Sequence, residues 1–343
     1  MHDLMLAADH EYHALTVADV IDETGDTRSF VLDIPADLAE AFAYQAGQFC
    51  TFRATIDGHE VVRCYSMSSS PDAGEPFKTA VKRVPTGVMS NWMNDTLAPG
   101  HTIDVLRPAG LFVLHPNETP IVAFAGGSGI TPVISIIKSA LLTTARDILL
   151  VYANRDADSV IYADELERLQ AGSDGRLTVH AHLDAEGGFL DAVACAELVG
   201  ERSHADFYIC GPGPYMDIVE AGIEQLGVAR RQVFIERFVI SGDLSSFAEA
   251  SATDSMVIKL GGKKQTVDYK MGDTVLDTAR RAGLKPPFSC ESGSCATCMA
   301  HLDTGAATMR VNNALTPEEV DEGWILTCQS IPTSREVVVN YDA

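Results

Sequence analysis

The sequence predicts three domains: an antiparallel Greek-key β-barrel, an α/β domain with a parallel sheet, and a small β-grasp-like domain. Short strands punctuated by Gly and Pro fill the first third, and an apolar run leads into a glycine turn and a helix in the second. Hairpin signals and a cysteine-rich loop mark the last part. The 343 residues suffice for two or three domains of roughly 100–200 residues each. The expected boundaries are 8–114 for the barrel, 115–240 for the α/β domain, 241–253 for a linker and 254–343 for the last domain.

Composition and charge exclude several function classes. The formal net charge is −23, which disfavours nucleic acids and anionic membrane surfaces because both attract Lys and Arg. No run of 18 or more apolar residues predicts a membrane span, and the N-terminal residues do not resemble a signal peptide. Eight cysteines without an export signal argue against a disulfide framework. We therefore expect a cytoplasmic protein, and we separately expect it to be a monomer.

Three cysteines crowd one loop of the last domain, and a fourth follows later in the sequence. Cys290, Cys295 and Cys298 have C-x4-C-x2-C spacing, and Cys328 stands alone. This arrangement is typical of plant-type [2Fe–2S] clusters, which four thiolates hold. Gly293 and its small neighbours allow backbone N–H groups to turn toward the sulfur atoms. Zinc, which usually takes two short cysteine pairs, and purely structural thiols are the alternatives.

The first domain reads as strands in the order expected for a barrel, over the ranges 12–20, 27–34, 48–56, 61–68 and 77–84. Arg63-Cys-Tyr65-Ser66 forms an R-x-Y-S motif at the end of one strand. Such an arginine suits a pyrophosphate, and such a tyrosine suits a flat heterocycle. In the segment that begins at Gly87, a serine at the predicted cap position, Ser90, precedes a short helix and favours anion binding. Each motif alone is equally compatible with an ordinary strand end or turn.

The second domain begins with the apolar strand of residues 120–125, which leads into Gly126-Gly-Ser-Gly-Ile-Thr131-Pro and a helix over 133–142. A strand, a glycine turn and a helix N-terminus bind pyrophosphate through backbone N–H groups and the helix dipole. The turn is not G-x-G-x-x-G, so the usual dinucleotide fingerprint is absent.

The next strand, residues 147–152, ends close to Arg155 and Asp156, where an adenosine ribose is expected. Arg155 favours a 2′-phosphate or adenine stacking, whereas Asp156 favours a ribose hydroxyl. A solvated pair between the two residues is the structural alternative. The sequence therefore leaves the choice between NADH and NADPH open.

Two further segments complete the pattern. An apolar strand runs into Cys210-Gly211-Pro212, and residues 233–238 end the domain. A core thiol is the structural alternative for Cys210. After the linker, the last domain shows a hairpin at Gly261-Gly262, a helix over 275–282 and the cysteine loop. An acidic helix at 317–322 either docks a basic partner or is simply solvated and capped.

Together these motifs resemble the ferredoxin–NADP⁺ reductase family. The resemblance implies that FAD is held by a set of barrel residues, with Ser66 near flavin N5: Arg63, Tyr65, Ser66, Gly87, Val88 and Ser90. It implies that the nicotinamide nucleotide meets two loops of the second domain, with Cys210 beside the ring: Gly127, Ser128, Gly129, Thr131, Cys210, Gly211 and Pro212. Glu236 and Phe238 correspond to residues near the flavin. In plant-type relatives that aromatic residue ends the chain, whereas here the chain continues.

The order of all three domains resembles the reductase components of multicomponent oxygenases. This resemblance implies electron flow from NADH or NADPH to FAD, then to a [2Fe–2S] cluster held by Cys290, Cys295, Cys298 and Cys328, and finally to a terminal oxygenase. Ser66, Cys210 and Glu236 are the expected catalytic residues. A Rieske-type ring or steroid hydroxylase is the expected acceptor, and a diiron epoxidase of the phenylacetyl-CoA type is an alternative. An iron–sulfur redox sensor with a vestigial flavin site is a third possibility.

Overall fold

The computed structural model describes residues 12–238, 253–312 and 314–343. They fall into two compact units. The first unit comprises Tyr12–Pro108 and Phe112–Phe238, and the second includes the described residues from 253 onward. Apart from Thr253, the predicted linker lies outside the described residues.

The first unit opens with six antiparallel strands in the order β4-β3-β6-β1-β2-β5. The strands are β1 (His13–Thr24), β2 (Thr27–Asp33), β3 (Phe49–Ile56), β4 (His59–Ser66), β5 (Lys78–Lys82) and β6 (Thr102–Val105). An isolated bridge between Met67 and Thr79 links the two edge strands and closes the barrel. Phe30, Phe52 and their apolar neighbours fill its interior.

Helix α1 (Val88–Thr96) covers the barrel with the buried side chains of Met89 and Met93. Its N-cap is Gly87, and Ser90 lies inside its first turn, so the predicted serine cap is wrong. Strand β6 was not predicted from the sequence. It is four residues long, and it pairs with β1 and β3, which are distant in the chain.

The same unit continues as a five-stranded parallel sheet in the order β11-β10-β7-β8-β9. Its strands are β7 (Ile121–Gly126), β8 (Ile148–Asn154), β9 (Leu177–Leu183), β10 (Asp206–Gly211) and β11 (Val233–Arg237). The helices are α2 (Ile130–Thr143), α3 (Ala163–Ala171), α4 (Asp184–Gly187), α5 (Ala192–Val199) and α6 (Gly213–Gln225). Strands β7, β8 and β10 are buried along their whole length, as expected for a parallel sheet covered on both faces.

The second unit is a five-stranded mixed sheet in the order β13-β12-β18-β14-β16, with a separate pair β15-β17. Its strands are β12 (Ser255–Leu260), β13 (Lys263–Asp268), β14 (Met299–Thr304), β15 (Ala307–Met309), β16 (Trp324–Leu326), β17 (Ser330–Pro332) and β18 (Val338–Asn340). The helices are α7 (Val275–Arg281) and α8 (Pro317–Asp321). Gly261 and Gly262, with φ of 61° and 71°, form the predicted hairpin turn.

These sheets confirm the predicted fold class of an antiparallel barrel, a parallel α/β domain and a small β-rich domain. Because the strands of the α/β sheet run parallel, their carboxyl ends share one edge, and the loops that follow β7, β8 and β10 meet there. Most of the predicted nucleotide residues lie in those loops.

Candidate electron-transfer site

The glycine turn after β7 packs directly against the end of β10. A Cβ atom on Gly129 would lie 2.1 Å from the carbonyl oxygen of Cys210, so only glycine permits this approach. Gly126 is similarly close to the ring of Tyr215 and to Pro212, at 2.9 Å. The structure thus brings together the two loops that the sequence analysis selected separately.

The outer side of this turn is open. Gly127 has φ of 50°, and nothing lies within 4 Å of the position that its Cβ would occupy. Helix α2 begins directly after the turn without a side-chain cap, and the Ile130 N–H already donates to carbonyl oxygens of the turn, so it is the positive end of the helix dipole that favours an anion here. The buried Thr131 hydroxyl donates to the Ser128 carbonyl oxygen at 2.9 Å and braces the turn. These features fit a dinucleotide pyrophosphate.

Cys210 and Glu236 lie side by side on the neighbouring strands β10 and β11. Both are buried, and burial, helped by the Glu236 carboxylate, raises the pKa of the Cys210 thiol well above its usual range. Cys210 therefore stays a neutral thiol at physiological pH. Phe238, just beyond β11, keeps 41% of its surface exposed.

The R-x-Y-S motif ends strand β4. The Arg63 side chain is exposed and donates to the Val62 carbonyl oxygen at 2.7 Å. The Tyr65 ring packs edge-on against Phe52, and burial raises the pKa of its hydroxyl. Ser66 is only 2% exposed, and its Oγ has no hydrogen-bond partner among the described residues. Since buried hydroxyls normally find a partner, this one fits a ligand that supplies it, as flavin N5 would.

In the structure, the segment that begins at Gly87 holds the preceding loop against helix α1, a role that its sequence did not predict. Ser90 Oγ accepts the backbone N–H of Val84 at 3.1 Å, and a Cβ on Gly87 would lie 2.7 Å from this Oγ. Ser90 thus ties the loop before α1 to the helix. Val88 is 49% exposed at the helix start, with its backbone accessible to a ligand.

Arg155 and Asp156 each have a different partner, so the structural alternative of a local pair between them is not observed. Asp156 caps a short 3₁₀ turn, where its carboxylate accepts the Ser159 N–H at 2.9 Å. Arg155 is 68% exposed and lies 3.4 Å from Asp26 in the β1–β2 turn of the barrel. An exposed pair at that distance is weak, so the guanidinium is available to a phosphate.

The four cysteines of the second unit are buried as two neighbouring pairs, Cys290 with Cys295 and Cys298 with Cys328. The neighbouring Cys295 side chain lowers the pKa of Cys290 to about 5, while the contact with Cys290 and burial raise the pKa of Cys295. The side chain of Cys298 lies next to Cys328, and this contact, together with burial, raises the pKa of the Cys328 thiol. With a [2Fe–2S] cluster bound, these four thiols would be thiolates. No disulfide involves any of the chain's eight cysteines.

The two pairs suit a cluster in which each of two irons takes two cysteines. Within the described ranges, no group of three or more His, Cys, Asp or Glu side chains surrounds a single-ion position. The backbone N–H groups of Ser292 and Ser294 each approach Cys290 Sγ at 3.4 Å, as the small residues of this loop predicted. Gly293 has φ of 79° and passes close to the Val311 carbonyl oxygen, where a Cβ would lie 2.8 Å away.

Two residues that hold this loop in place were not predicted from the sequence. The Gln329 amide donates to the Glu291 carbonyl oxygen at 2.8 Å, and Arg280 pairs with the Glu291 carboxylate at 3.2 Å. Glu291 itself has φ of 51°, a costly conformation for a residue with a side chain. The position of Gln329 directly after Cys328 was the available signal, whereas Arg280 gave none because its partner lies in another element.

Comparisons with known proteins cover all three parts of the chain. Residues 14–114 match the oxidoreductase FAD-binding domain, residues 124–221 the oxidoreductase NAD-binding domain, and residues 258–333 the 2Fe-2S iron-sulfur cluster binding domain. The chain is 37% identical over 337 residues to the ferredoxin reductase component of 3-ketosteroid-9-alpha-monooxygenase from Rhodococcus rhodochrous, covering 95% of this chain and 96% of that protein.

Two other proteins show the same organisation. One of the subunits of the 1,2-phenylacetyl-CoA epoxidase from Escherichia coli strain K12 is 32% identical, over 97% of this chain and 98% of that protein. Phthalate dioxygenase reductase, described as a modular structure for electron transfer from pyridine nucleotides to [2Fe-2S], has a TM-score of 0.62 and 25% identity. That match covers 96% of this chain and 98% of the other.

The fold and the site therefore define an oxidoreductase that uses FAD, a nicotinamide nucleotide and a [2Fe–2S] cluster. The chain belongs to the family of oxygenase reductase components, which pass electrons from NAD(P)H through FAD and the cluster to an oxygenase. The predicted cofactors and the predicted reductase function are confirmed. None of the helices in the described part of the chain has the length and hydrophobicity of a membrane span.

Proposed function

We propose that this reductase supplies electrons to a Rieske-type oxygenase that hydroxylates a ring or steroid substrate. The support is the 37% identity, along nearly the whole chain, to the reductase component of a 3-ketosteroid monooxygenase. The donor is NADH or NADPH, and the choice between them depends on the surroundings of Arg155.

The observation that carries the assignment of residues is the contact between Gly129 and the Cys210 carbonyl. It brings the pyrophosphate turn and the Cys210-Gly211-Pro212 loop to one point of the sheet edge. In this proposal Gly127, Ser128, Gly129 and Thr131 hold the nucleotide. The neutral Cys210 thiol, with Glu236 beside it, lines the place of the nicotinamide ring and keeps water from it.

The barrel residues hold the flavin in the same proposal. Arg63 binds the pyrophosphate with help from the Gly87–Ser90 segment, Tyr65 and Phe238 flank the ring, and Ser66 donates its hydrogen bond to N5. When bound, FAD takes two electrons together from the nucleotide and releases them singly, so that the one-electron cluster carries them onward. Cys290, Cys295, Cys298 and Cys328 are the proposed cluster ligands.

We further propose a monomeric, cytoplasmic protein with domains at 8–114, 115–240 and 254–343 joined by a linker at 241–253. Thiols without disulfides suit a reducing compartment. The net charge of −23 disfavours nucleic acids and anionic membranes as partners and favours a basic docking face on the oxygenase.

Pairing the purified reductase with candidate oxygenases tests the acceptor. A Rieske steroid hydroxylase component should give hydroxylated product coupled to NADH or NADPH consumption, whereas a diiron epoxidase component should give little. Efficient coupling only to the epoxidase would establish the alternative, which the 32% identity to a phenylacetyl-CoA epoxidase component supports. An absorption spectrum without flavin bands, or without bleaching by NAD(P)H, would instead favour the redox-sensor hypothesis.

A further inference from the structure

Beyond Thr131 in its first turn, helix α2 carries three more buried polar side chains on one face. Ser135, Lys138 and Ser139 follow one another at spacings of three and one, which places them on the same side of the helix. Lys138 is only 4% exposed, and the two serines are fully buried. Since buried polar groups are costly without partners, each of them is expected to make a specific contact.

All three contact a single short segment of the barrel. Ser135 Oγ donates to the Ser69 carbonyl oxygen at 2.6 Å, and Ser139 Oγ lies 2.7 Å from Ser70 Oγ. Lys138 Nζ donates to Glu75 Oε2 at 2.7 Å. Residues 69–75 are therefore fastened to α2 at three points.

Lys138 also reaches a third element. Its Nζ donates to Glu165 Oε1 on helix α3 at 3.0 Å, and the other carboxylate oxygen of Glu165 lies 3.8 Å from Lys78. Glu75 Oε2 in turn accepts the backbone N–H of Ser70 at 2.8 Å. The network thus alternates two carboxylates with two ammonium groups, and Lys138 is its most buried member.

This network lies between the two proposed binding segments of the first unit. Helix α2 begins at the nucleotide turn, and Lys138 is seven residues beyond Thr131, about 10 Å along the helix. On the barrel side, Ser69 comes three residues after Ser66. A displacement of α2 against residues 69–75 would therefore move the nucleotide turn relative to Ser66.

We propose that Lys138 is a positioning residue, which fixes the nucleotide turn relative to the flavin-facing end of β4 by bridging Glu75 and Glu165. The inference rests on the proposed roles of Gly127–Thr131 and Ser66. Transfer between two bound rings requires reacting atoms about 3–3.5 Å apart, and a misplacement of about 1 Å costs about 100-fold in rate. The bridge supplies that precision without touching either ligand.

The test compares full-length, FAD- and cluster-loaded variants by anaerobic stopped-flow reduction with NADH and with NADPH. Lys138→Met keeps most of the length of the unbranched side chain and removes its charge. It should lower the limiting rate of flavin reduction about tenfold or more and change the nucleotide Kd by less than about threefold. Amide hydrogen exchange should accelerate in residues 69–75. Lys259→Met is the control, since it removes a 2.7 Å ion pair to Asp303 in the second unit and should leave the rate unchanged.

A double variant separates positioning from stability. Glu75→Gln with Lys138→Met leaves no uncompensated Glu75 carboxylate, so its Tm should approach that of the unmodified protein while flavin reduction stays slow. If Lys138→Met alone does not fold, the rate of flavin reduction in the double variant still tests the positioning role. A rate within about twofold of normal in Lys138→Met, or a rate that recovers together with Tm in the double variant, would overturn the positioning role. Absence of flavin reduction in the unmodified protein would overturn the proposed function itself.

Discussion

Ser66 and Ser173 are buried serines with opposite hydrogen-bonding states. Ser66 Oγ has no partner in the described part of the chain, whereas Ser173 Oγ donates to the Gln170 carbonyl and accepts the Leu177 N–H. Ser66→Ala should therefore leave the free energy of unfolding of the FAD-free protein unchanged or slightly raised. It should slow flavin reduction by about five- to tenfold, the equivalent of one hydrogen bond. Urea unfolding and stopped-flow reduction measure the two effects.

Ser173→Ala is the matched control and should show the reverse. Loss of its hydroxyl leaves a buried N–H without its partner, which costs about 1–3 kcal/mol of stability. The rate of flavin reduction should be unaffected. If Ser66→Ala destabilises the protein as much as Ser173→Ala does, the Ser66 hydroxyl has a structural role and its assignment to flavin is wrong.

Substitution of Arg155 tests whether the protein prefers NADPH or NADH. Its guanidinium is exposed and only weakly held by Asp26, while the Asp156 carboxylate is already engaged with the Ser159 N–H. If Arg155 binds a 2′-phosphate, Arg155→Ala should lower kcat/KM for NADPH by about 10- to 100-fold, as expected for a charge-assisted hydrogen bond. The value for NADH should change little, because NADH carries no phosphate at that position.

Asp26→Asn provides the companion measurement. It removes the counter-charge of Arg155 and should raise kcat/KM for NADPH modestly without affecting NADH. Equal losses for both nucleotides in Arg155→Ala would indicate stacking on adenine instead of phosphate recognition.

Residues in compact motifs were predictable from sequence, and residues in long-range contacts were not. The cysteine spacing and the glycine turn are dictated by local geometry, so the pattern itself carries the chemistry. The pairing of Arg155 with Asp26 and the bridge of Lys138 between Glu75 and Glu165 join residues far apart in the chain. No periodicity or spacing encodes such contacts.

At the level of elements, the glycine turn after β7 has an inner and an outer side. A methyl group at Gly129 would collide with the Cys210 carbonyl, whereas a methyl group at Gly127 meets open space. Gly129→Ala should therefore lower stability by at least about 1–3 kcal/mol, because backbone must shift. Gly127→Ala should cost about 1–2 kcal/mol for its left-handed backbone and should mainly raise the KM for NADH or NADPH.

Thermal unfolding and steady-state kinetics separate the two glycine variants. The expected pattern is a large loss of Tm for Gly129→Ala and a large rise in KM for Gly127→Ala. Unchanged nucleotide binding in Gly127→Ala would mean that the pyrophosphate does not approach the open side of the turn.

Buried parallel strands were the easiest elements to predict. The predicted ranges 120–125 and 147–152 match β7 and β8 to within one or two residues at each end. Continuous apolar runs between glycines explain this success. The short strands β6 and β17 were missed because four or three residues show no measurable alternation and depend on distant partners.

At the level of the whole molecule, the chain separates its chemistry into two units. The nucleotide and flavin motifs lie in the first, and all four predicted cluster ligands lie in the second. The order of motifs along the sequence predicted this division, since each motif needs its own core. The first two predicted domains form one unit, in which α2 bonds to residues 69–75 and barrel residues Ala46 and Ala80 pack in the core of the α/β sheet, and no local pattern in the sequence indicates such distant contacts.

This separation predicts that the two halves of electron transfer can be uncoupled. Cys290→Ser removes one of the four proposed ligands, so the cluster absorption and its electron paramagnetic resonance signal should be lost. Flavin reduction by NADH or NADPH should stay within about twofold of normal, because no residue of the proposed nucleotide and flavin sites changes. Product formation by a paired oxygenase should fall to background.

Cys195→Ser is the control for a buried cysteine outside the cluster. Cys195 is on the buried face of α5, within an apolar core, so its replacement should lower Tm while cluster, flavin and oxygenase activity persist. Two results would contradict the electron path. One is normal oxygenase turnover by Cys290→Ser without its cluster, and the other is loss of flavin reduction together with the cluster. The first result would mean that electrons pass from the flavin to the oxygenase without the cluster. The second would mean that reduction of the flavin depends on the cluster ligands.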